Sequence, residues 1–237
     1  MPEKKIKVLF VCPHFPPVNA PDYHRLRMFL PYFEESGIEA VVLAANWKEV
    51  DAATDESLLC TVPGKLRIHK VNPFPLAIAS LFGCRSLFYR AFFPLRKTGI
   101  EIIKKEKIDF VFFAGSLMSF VACGPYWQAK TKTKFGFDLQ DEWITDHYQE
   151  PSSFPPGGRL KYRLSRFLGH LIEGKAREKA SLRLSVTDRF LLDTEKNDSN
   201  TFIMPFGYSL NDQMLGKKVS FPSSELASFK NSWILLG

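Results

Sequence analysis

The 237-residue sequence is poor in cysteine and lacks several short motifs that identify common classes of protein. Its four cysteines form no Cys-x-x-Cys pair, and none has metal-ligand spacing to a histidine. This pattern excludes a disulfide scaffold, argues against a zinc cage and predicts four reduced, buried thiols. Neither Gly-x-Gly-x-x-Gly nor a P-loop lysine motif is present, so a dinucleotide or Walker-type site is unsupported. No RNP-like, KH, zinc-finger or helix-turn-helix signature is present either, and we expect no nucleic-acid partner.

Long hydrophobic runs are also missing. No window reaches the roughly 18 unbroken apolar residues that a membrane-spanning helix needs, and the first apolar run is too short for a signal peptide. We therefore expect a cytoplasmic protein, with peripheral contact to the inner face of a membrane left open. The composition, 45% apolar and 24% charged, predicts a folded chain with a full core rather than a disordered one.

The net charge of +7 is concentrated in two segments. Residues 65–107 hold ten basic and two acidic side chains, and residues 159–183 hold eight basic and two acidic ones, so the remainder is net acidic. Within the first segment, residues 74–97 interleave arginine with aromatic and aliphatic side chains. Such a stretch suits the interface of an anionic bilayer. It equally suits two helices of a soluble protein with buried apolar faces and solvated basic faces.

Apolar runs without polar alternation follow one another along the chain, separated by helical periods. This pattern predicts an α/β fold, a Rossmann-like doubly wound parallel sheet. Gly37 is expected to end the first helix, in which Pro31 predicts a kink or a late start. The expected strands are 6–12, 40–45, 66–71, 108–114, 133–139, 182–186 and 201–204, and the expected helices are 26–36, most of 76–106, 117–130 and 159–179.

Ligands of open α/β sheets bind beyond the carboxyl ends of the strands, so the residues that follow each strand are the first candidates. After the first strand come His14, Asn19, Tyr23 and Arg25. The next helix begins there, and its N-terminus together with an arginine favours an anion such as a phosphate. In the alternative interpretation, Asp22 is only a helix cap and the histidine and arginine side chains near it are solvated.

Acidic residues cluster after the strand at 133–139. Such crowding raises the pKa of a carboxylate and prepares it as a base, and a tryptophan offers a flat face on which sugars stack. The alternative is an acidic, solvated loop that balances the basic helix after it. The cluster consists of Asp138, Asp141, Glu142, Trp143, Asp146 and His147.

The end of the sequence predicts a change of domain. Gly207, after the strand at 201–204, marks either a tight turn that a ligand can approach or a plain connector. Residues 211–230 are polar, and 231–237 start another apolar strand. We expect one Rossmann-like domain over 1–210, a linker over 211–230 and, at 231–237, the first strand of a truncated second domain.

The order of these pieces resembles the N-terminal domain of retaining, nucleotide-sugar-dependent glycosyltransferases of the GT-B fold, the family 4-like group 1 glycosyltransferases. The resemblance covers nearly all of residues 6–237, although no single motif is specific. The matching pieces are Lys7-Val8-Leu9-Phe10-Val11 with Phe15-Pro16-Pro17; Arg25, Leu26, Leu30 and Gly37; Asp138 to Trp143; Glu173, Ala176, Ala180 and Ser185-Val186-Thr187; and Pro205-Phe206-Gly207-Tyr208-Ser209.

The resemblance implies an acceptor-side domain that helps transfer a sugar from a nucleotide-sugar to a glycan or lipid-linked acceptor. It implies retention, no required metal or cofactor, and a place in cell-surface polysaccharide biosynthesis. Asp141 would orient the acceptor hydroxyl, with Asp138 and His147 next as catalytic candidates. The substrate-binding candidates are His14, Asn19, Tyr23, Arg25, Glu142, Trp143 and Gly207, of which His14, Asn19 and Arg25 would lie near the diphosphate.

The sequence also departs from the family. Val18-Asn19-Ala20-Pro21 replaces the paired glycines that follow the family's proline loop, and the family's two-glutamate donor motif belongs to a second domain beyond residue 231. Two other functions therefore remain open: a non-catalytic Rossmann-like subunit that binds a glycan or a partner, and a basic adaptor on a membrane surface.

Overall fold

Seven strands and five α-helices occur in residues 5–144 and 158–207, the part of the chain that the computed structural model describes. The strands are β1 (Ile6–Val11), β2 (Ile38–Ala45), β3 (Arg67–Val71), β4 (Phe110–Phe113), β5 (Lys134–Leu139), β6 (Leu182–Ser185) and β7 (Thr201–Ile203). The helices are α1 (His24–Phe33), α2 (Leu76–Leu81), α3 (Leu87–Glu106), α4 (Cys123–Thr131) and α5 (Gly158–Lys179). By its contacts the chain divides into two units, Met1–Pro205 and Phe206–Gly237, and all of these elements belong to the first.

The strands form one parallel sheet in the order β3-β2-β1-β4-β5-β6-β7. The predicted doubly wound, Rossmann-like α/β fold is confirmed. The direction of the strand order changes between β1 and β4, because β2 and β3 extend the sheet to one side and β5 to β7 extend it to the other. In folds of this kind the ligand crevice lies at such a switch point, beyond the carboxyl ends of the two strands.

Alternate residues of the central strands enter two different cores. Leu9 and Val11 of β1 pack with α3, α4 and the C-terminal part of α5 in the larger core. Val8 and Phe10 face the other side, where α1 and the segment between β2 and β3 cover them. Three of the five α-helices thus contribute to the first core, and α1 is the only α-helix that contributes to the second in the described part of the chain.

The aromatic stretch at residues 74–97, whose role the sequence leaves open, spans α2 and the first part of α3. Leu87, Phe88, Phe92 and Leu95 pack in or against the larger core, whereas Phe74, Ile78, Leu81, Phe82 and Phe93 are exposed. Residues 74–97 are therefore partly a core helix and partly an exposed apolar surface.

Several local expectations can be compared with the structure. Pro31 lies within the last turn of α1, which ends at Phe33, four residues before Gly37. Gly37 has a φ of +74° and ends the turn that leads from α1 into β2. Only Cys12 and Cys123 are buried, since Cys60 is exposed and Cys84 is half-buried, so the prediction of four buried thiols is wrong for two of them.

No described helix is long and apolar enough to cross a bilayer. The expected linker at 211–230 and strand at 231–237 lie outside the described residues.

Candidate functional site

The loop after β1 is held firmly at the carboxyl edge of the sheet. Cys12 is fully buried, and its thiol donates to the carbonyl oxygen of His14 at 2.9 Å. Phe15 and Val18 then anchor the loop in the second core, and Val18 forms an isolated bridge with Thr54. Because both ends of the loop are fixed in this way, the position of the His14 side chain is defined by the fold.

His14 and Asp22 form a histidine–carboxylate pair. Nδ1 of His14 lies 3.1 Å and 3.2 Å from the two carboxylate oxygens of Asp22. The Asp22 side chain is buried, and the His14 side chain retains 18% of its exposure. Among the described residues Nε2 of His14 has no hydrogen-bond partner, so it is the ring nitrogen left to contact a ligand. Asp22 caps no helix, which differs from the alternative that the sequence allowed.

Gly115 brings the loop after β4 against the same pair. Its φ is +105°, and a Cβ atom placed there would lie 2.8 Å from the carbonyl oxygen of Asp22. Any other residue would combine a strained backbone with a steric clash. The carboxyl ends of β1 and β4 therefore meet at Asp22, which is the switch point of the sheet.

Arg25 and Asp138 form a second, buried pair beside the first. Nη1 of Arg25 donates to Oδ1 of Asp138 at 3.1 Å, and Nη2 donates to the carbonyl oxygen of Met204 at 2.7 Å. The other carboxylate oxygen accepts from Nε2 of Gln140 at 2.8 Å. Burial raises the pKa of Asp138, although Arg25 and Gln140 oppose that shift. The two residues are 113 positions apart, and their contact joins α1 to the carboxyl ends of β5 and β7.

A cavity of about 270 Å³ lies next to this buried pair. Of the described residues that line it, only Arg25 and Asp138 are charged, and the others are apolar. Helix α1 contributes Leu26, Phe29 and Phe33, and the sheet contributes residues of β1, β2, β4 and β6. The cavity therefore lies between α1 and the sheet face on which α1 packs.

The other predicted residues between β1 and the start of α1 lie in different environments. Asn19 is exposed, with its backbone amide bonded to the carbonyl oxygen of Ala53, whereas Tyr23 is fully buried against Phe15 and His24. The Tyr23 hydroxyl has no hydrogen-bond partner among the described residues, and burial raises the pKa of Tyr23 to about 12. Arg25, which the family resemblance places near the diphosphate, is buried and ion-paired with Asp138.

The cluster after β5 is also divided. Asp138 faces α1, while Trp143 turns to the other side of the sheet, packs edge-on against Phe137 at 5.4 Å and lies 5.9 Å from the Arg177 guanidinium. Asp141 and Glu142 are exposed. His147 lies outside the described residues, and Gly207 belongs to the second unit, of which only Phe206 and Gly207 are described.

The sequence does not identify three residues that shape the site: Asp22, Gln140 and Gly115. Asp22 was considered only as a cap, and Gln140 was not considered. Gly115 stands directly after the apolar run of β4, and a glycine at the end of a buried strand was the available signal for a close backbone approach. No group of three or more potential metal ligands occurs among the described residues.

The fold matches solved structures, although the sequence matches no family profile and no curated protein. The Anabaena protein HepE, solved in complex with UDP-glucose, is 14% identical with a TM-score of 0.55, and the match covers 94% of this chain and 49% of HepE. UGT2 from Phytolacca americana, solved without ligand, is 9% identical with a TM-score of 0.51, and the match covers 91% of this chain and 55% of UGT2.

These likenesses define the class of fold. The chain is a Rossmann-like α/β domain like the N-terminal half of GT-B proteins, and it spans about half the length of the structures that it matches. At 14% and 9% identity the similarity is one of fold, so a function for this chain depends on its own side chains.

Proposed function

We propose that this chain is the acceptor-side part of a GT-B glycosyltransferase. The reaction joins an acceptor hydroxyl oxygen to C1 of a sugar, breaks the bond between C1 and the diphosphate, and releases the hydroxyl proton and a nucleoside diphosphate. The donor is a nucleotide-sugar and the acceptor is a glycan or a lipid-linked glycan. UDP-glucose, present in the HepE structure, is the first donor to test.

The observation that supports the proposal most strongly is the His14–Asp22 pair at the switch point. A buried carboxylate on Nδ1 fixes the orientation of the imidazole and leaves Nε2 for a substrate hydroxyl. Gly115 lets the backbone after β4 approach the same place. A histidine held in this way can accept a hydrogen bond from a sugar or acceptor hydroxyl, which orients that oxygen for attack.

The burial of the other candidate residues indicates the role that we propose for each. Arg25 and Asp138 neutralise each other and position α1 against the strand ends, so we assign them a positioning role. Asp141, exposed after Gln140, remains our proposed contact to the acceptor hydroxyl, while His147 and Gly207 stay sequence-based proposals. As the family resemblance implies, we propose retention at C1 and no required metal. The anomeric coupling constant of the first-formed product tests the stereochemistry.

The test is transfer activity of the natural polypeptide that contains these residues, with the variants His14→Ala, Asp22→Asn and Asp141→Ala. If His14 assists the hydroxyl, His14→Ala lowers kcat about 10²-fold or more, and Asp22→Asn has a smaller effect in the same direction. His69→Ala is the matched control, since His69 on β3 is also paired with a carboxylate, at 2.7 Å from Glu106. An unchanged kcat in His14→Ala, or an equal loss in His69→Ala, would remove the pair from the site.

A further inference from the structure

The first four turns of α5 carry an apolar stripe whose side chains stay exposed to a large degree. Its side chains recur at the spacing that places them within about 100° of the helix circumference. They remain between 42% and 83% exposed. The stripe consists of Leu160, Leu164, Phe167, Leu168 and Leu171. By contrast, Ala176 and Arg177 in the last turns of the same helix are buried, and they are the only residues of α5 that are fully buried.

The end of α2 lies next to the first turn of α5. Nζ of Lys161 donates to the carbonyl oxygen of Gly83 at 2.6 Å. Just before Gly83, the side chains of Ile78, Leu81 and Phe82 are 57%, 83% and 77% exposed. This hydrogen bond links two exposed apolar groups that come from distant parts of the sequence, and together we call them the α2–α5 face.

The charged residues within the two segments that form this face are all basic. Residues 158–172 contain Arg159, Lys161, Arg163 and Arg166 and no acidic residue, and residues 72–86 contain Arg85 and no acidic residue. Lys161 and Arg163 immediately flank Leu160 and Leu164 along the helix. Long basic side chains beside an apolar stripe can bury their stems and keep their charges at the level of lipid headgroups. A buried protein interface would instead be depleted in charged residues at its centre.

We propose that the α2–α5 face docks on the surface of an anionic phospholipid bilayer. The apolar stripe would enter the boundary between headgroups and acyl chains while the arginine and lysine side chains contact lipid phosphates. This assignment is narrower than the basic stretch 74–97 as a whole, because Leu87, Phe88, Phe92 and Leu95 belong to the core. It also includes α5, for which the sequence predicts only a basic helix.

Flotation of the full chain with phosphatidylcholine vesicles, with and without 30% phosphatidylglycerol, tests the proposal. We expect binding to the anionic vesicles, weaker binding to the neutral ones, and a loss of binding as the salt concentration rises. The pair Arg159→Gln with Arg163→Gln should weaken anionic binding about 30-fold. The pair Lys104→Gln with Lys105→Gln is the control, since it removes the same charge from exposed positions at the end of α3.

A second pair of variants tests whether the apolar stripe of α5 contributes to vesicle binding. Leu160→Ser with Leu164→Ser should weaken binding about tenfold or more. The matched control is Leu59→Ser with Leu192→Ser, two leucines elsewhere that are 47% and 51% exposed. Circular dichroism establishes that each variant is folded, and the charge variants test the face should the leucine variants unfold.

Three results would overturn the proposal. One is equal binding to neutral and anionic vesicles, and another is an equal loss in either control pair. The third is self-association of the chain that the Leu160 and Leu164 variants abolish while vesicle binding is unchanged, which would make the face a contact between copies. Flotation does not depend on sugar transfer, so the two proposals can fail separately.

Discussion

At the residue scale, the charge of Arg25 is balanced by Asp138 inside the fold. Both side chains are almost fully buried. On folding, both side chains lose their contacts with water and form one ion pair. Arg25 also donates to the carbonyl oxygen of Met204, and Asp138 also accepts from Gln140. Removing one member of such a pair leaves an uncompensated buried charge, which costs more than removing both.

We therefore predict that Arg25→Met and Asp138→Leu each lower the free energy of unfolding by about 3–5 kcal/mol. The double variant should lose clearly less than the sum of the two, because it buries no unpaired charge. Urea denaturation of the four proteins measures the coupling. The same cycle with Lys5→Met and Glu34→Leu, in which Nζ and Oε1 are 3.0 Å apart on exposed side chains, should give a much smaller coupling, because exposed ion pairs contribute little to stability. Additive losses at Arg25 and Asp138 would contradict the pairing.

The sequence predicted Arg25 and Asp138 as individual candidates but not as partners. Their spacing of 113 residues carries no local signal, and only the topology of the sheet brings them together. Asp22 shows the same limit. An acidic residue at the start of a helix is locally a good cap, and its pairing with His14 depends on how the loop after β1 folds back.

At the element scale, the packing of α3 against α4 depends on a glycine. A Cβ atom at Gly99 would overlap the indole ring of Trp127, which is buried and donates from Nε1 to the carbonyl oxygen of Arg96 at 2.9 Å. Gly174 in α5 also lies within a helix, but a Cβ atom there would meet nothing within 4 Å. The two glycines therefore differ in packing and not in helical context.

Gly99→Ala should lower the free energy of unfolding by about 1–3 kcal/mol, since overpacking moves the indole. Gly174→Ala should raise it by about 0.5–1 kcal/mol, because alanine has the higher helix propensity. Denaturant unfolding measures both changes. A stabilising Gly99→Ala would mean that the two helices do not pack closely in solution.

The strands and helices themselves could be predicted closely from the sequence. Continuous apolar runs gave the seven strands to within about two residues, and the predicted helix at 159–179 corresponds to α5 at Gly158–Lys179. Periodicity could not show which helix surfaces are covered. The stripe of α5 has the pattern of a packed amphipathic helix, yet its side chains are between 42% and 83% exposed.

At the scale of the whole molecule, the two faces of the sheet are unequally covered. Helices α3 to α5 contribute to one core, whereas α1 is the only described α-helix that contributes to the other. Beyond α1, Leu184 of β6 pairs in register with Phe202 of β7, whose side chain is 52% exposed. The class of fold could be predicted from the alternation of strands and helices, but this asymmetry depends on the lengths and paths of the connections.

The same asymmetry predicts a gradient of local stability from the centre of the sheet to β7. The amide of Cys12, at the end of β1, donates to Leu43 at 3.0 Å in a fully buried position, and that of Met204, at the end of β7, donates to Ser185 at 2.7 Å in a half-buried one. Hydrogen exchange of Cys12 should require global unfolding, whereas Met204 should exchange by local opening, about 10²-fold faster or more. Exchange measured by NMR distinguishes these cases. Equal protection at the two amides would mean that β7 is not an open edge in solution, and that its exposed face is covered by a further segment or partner.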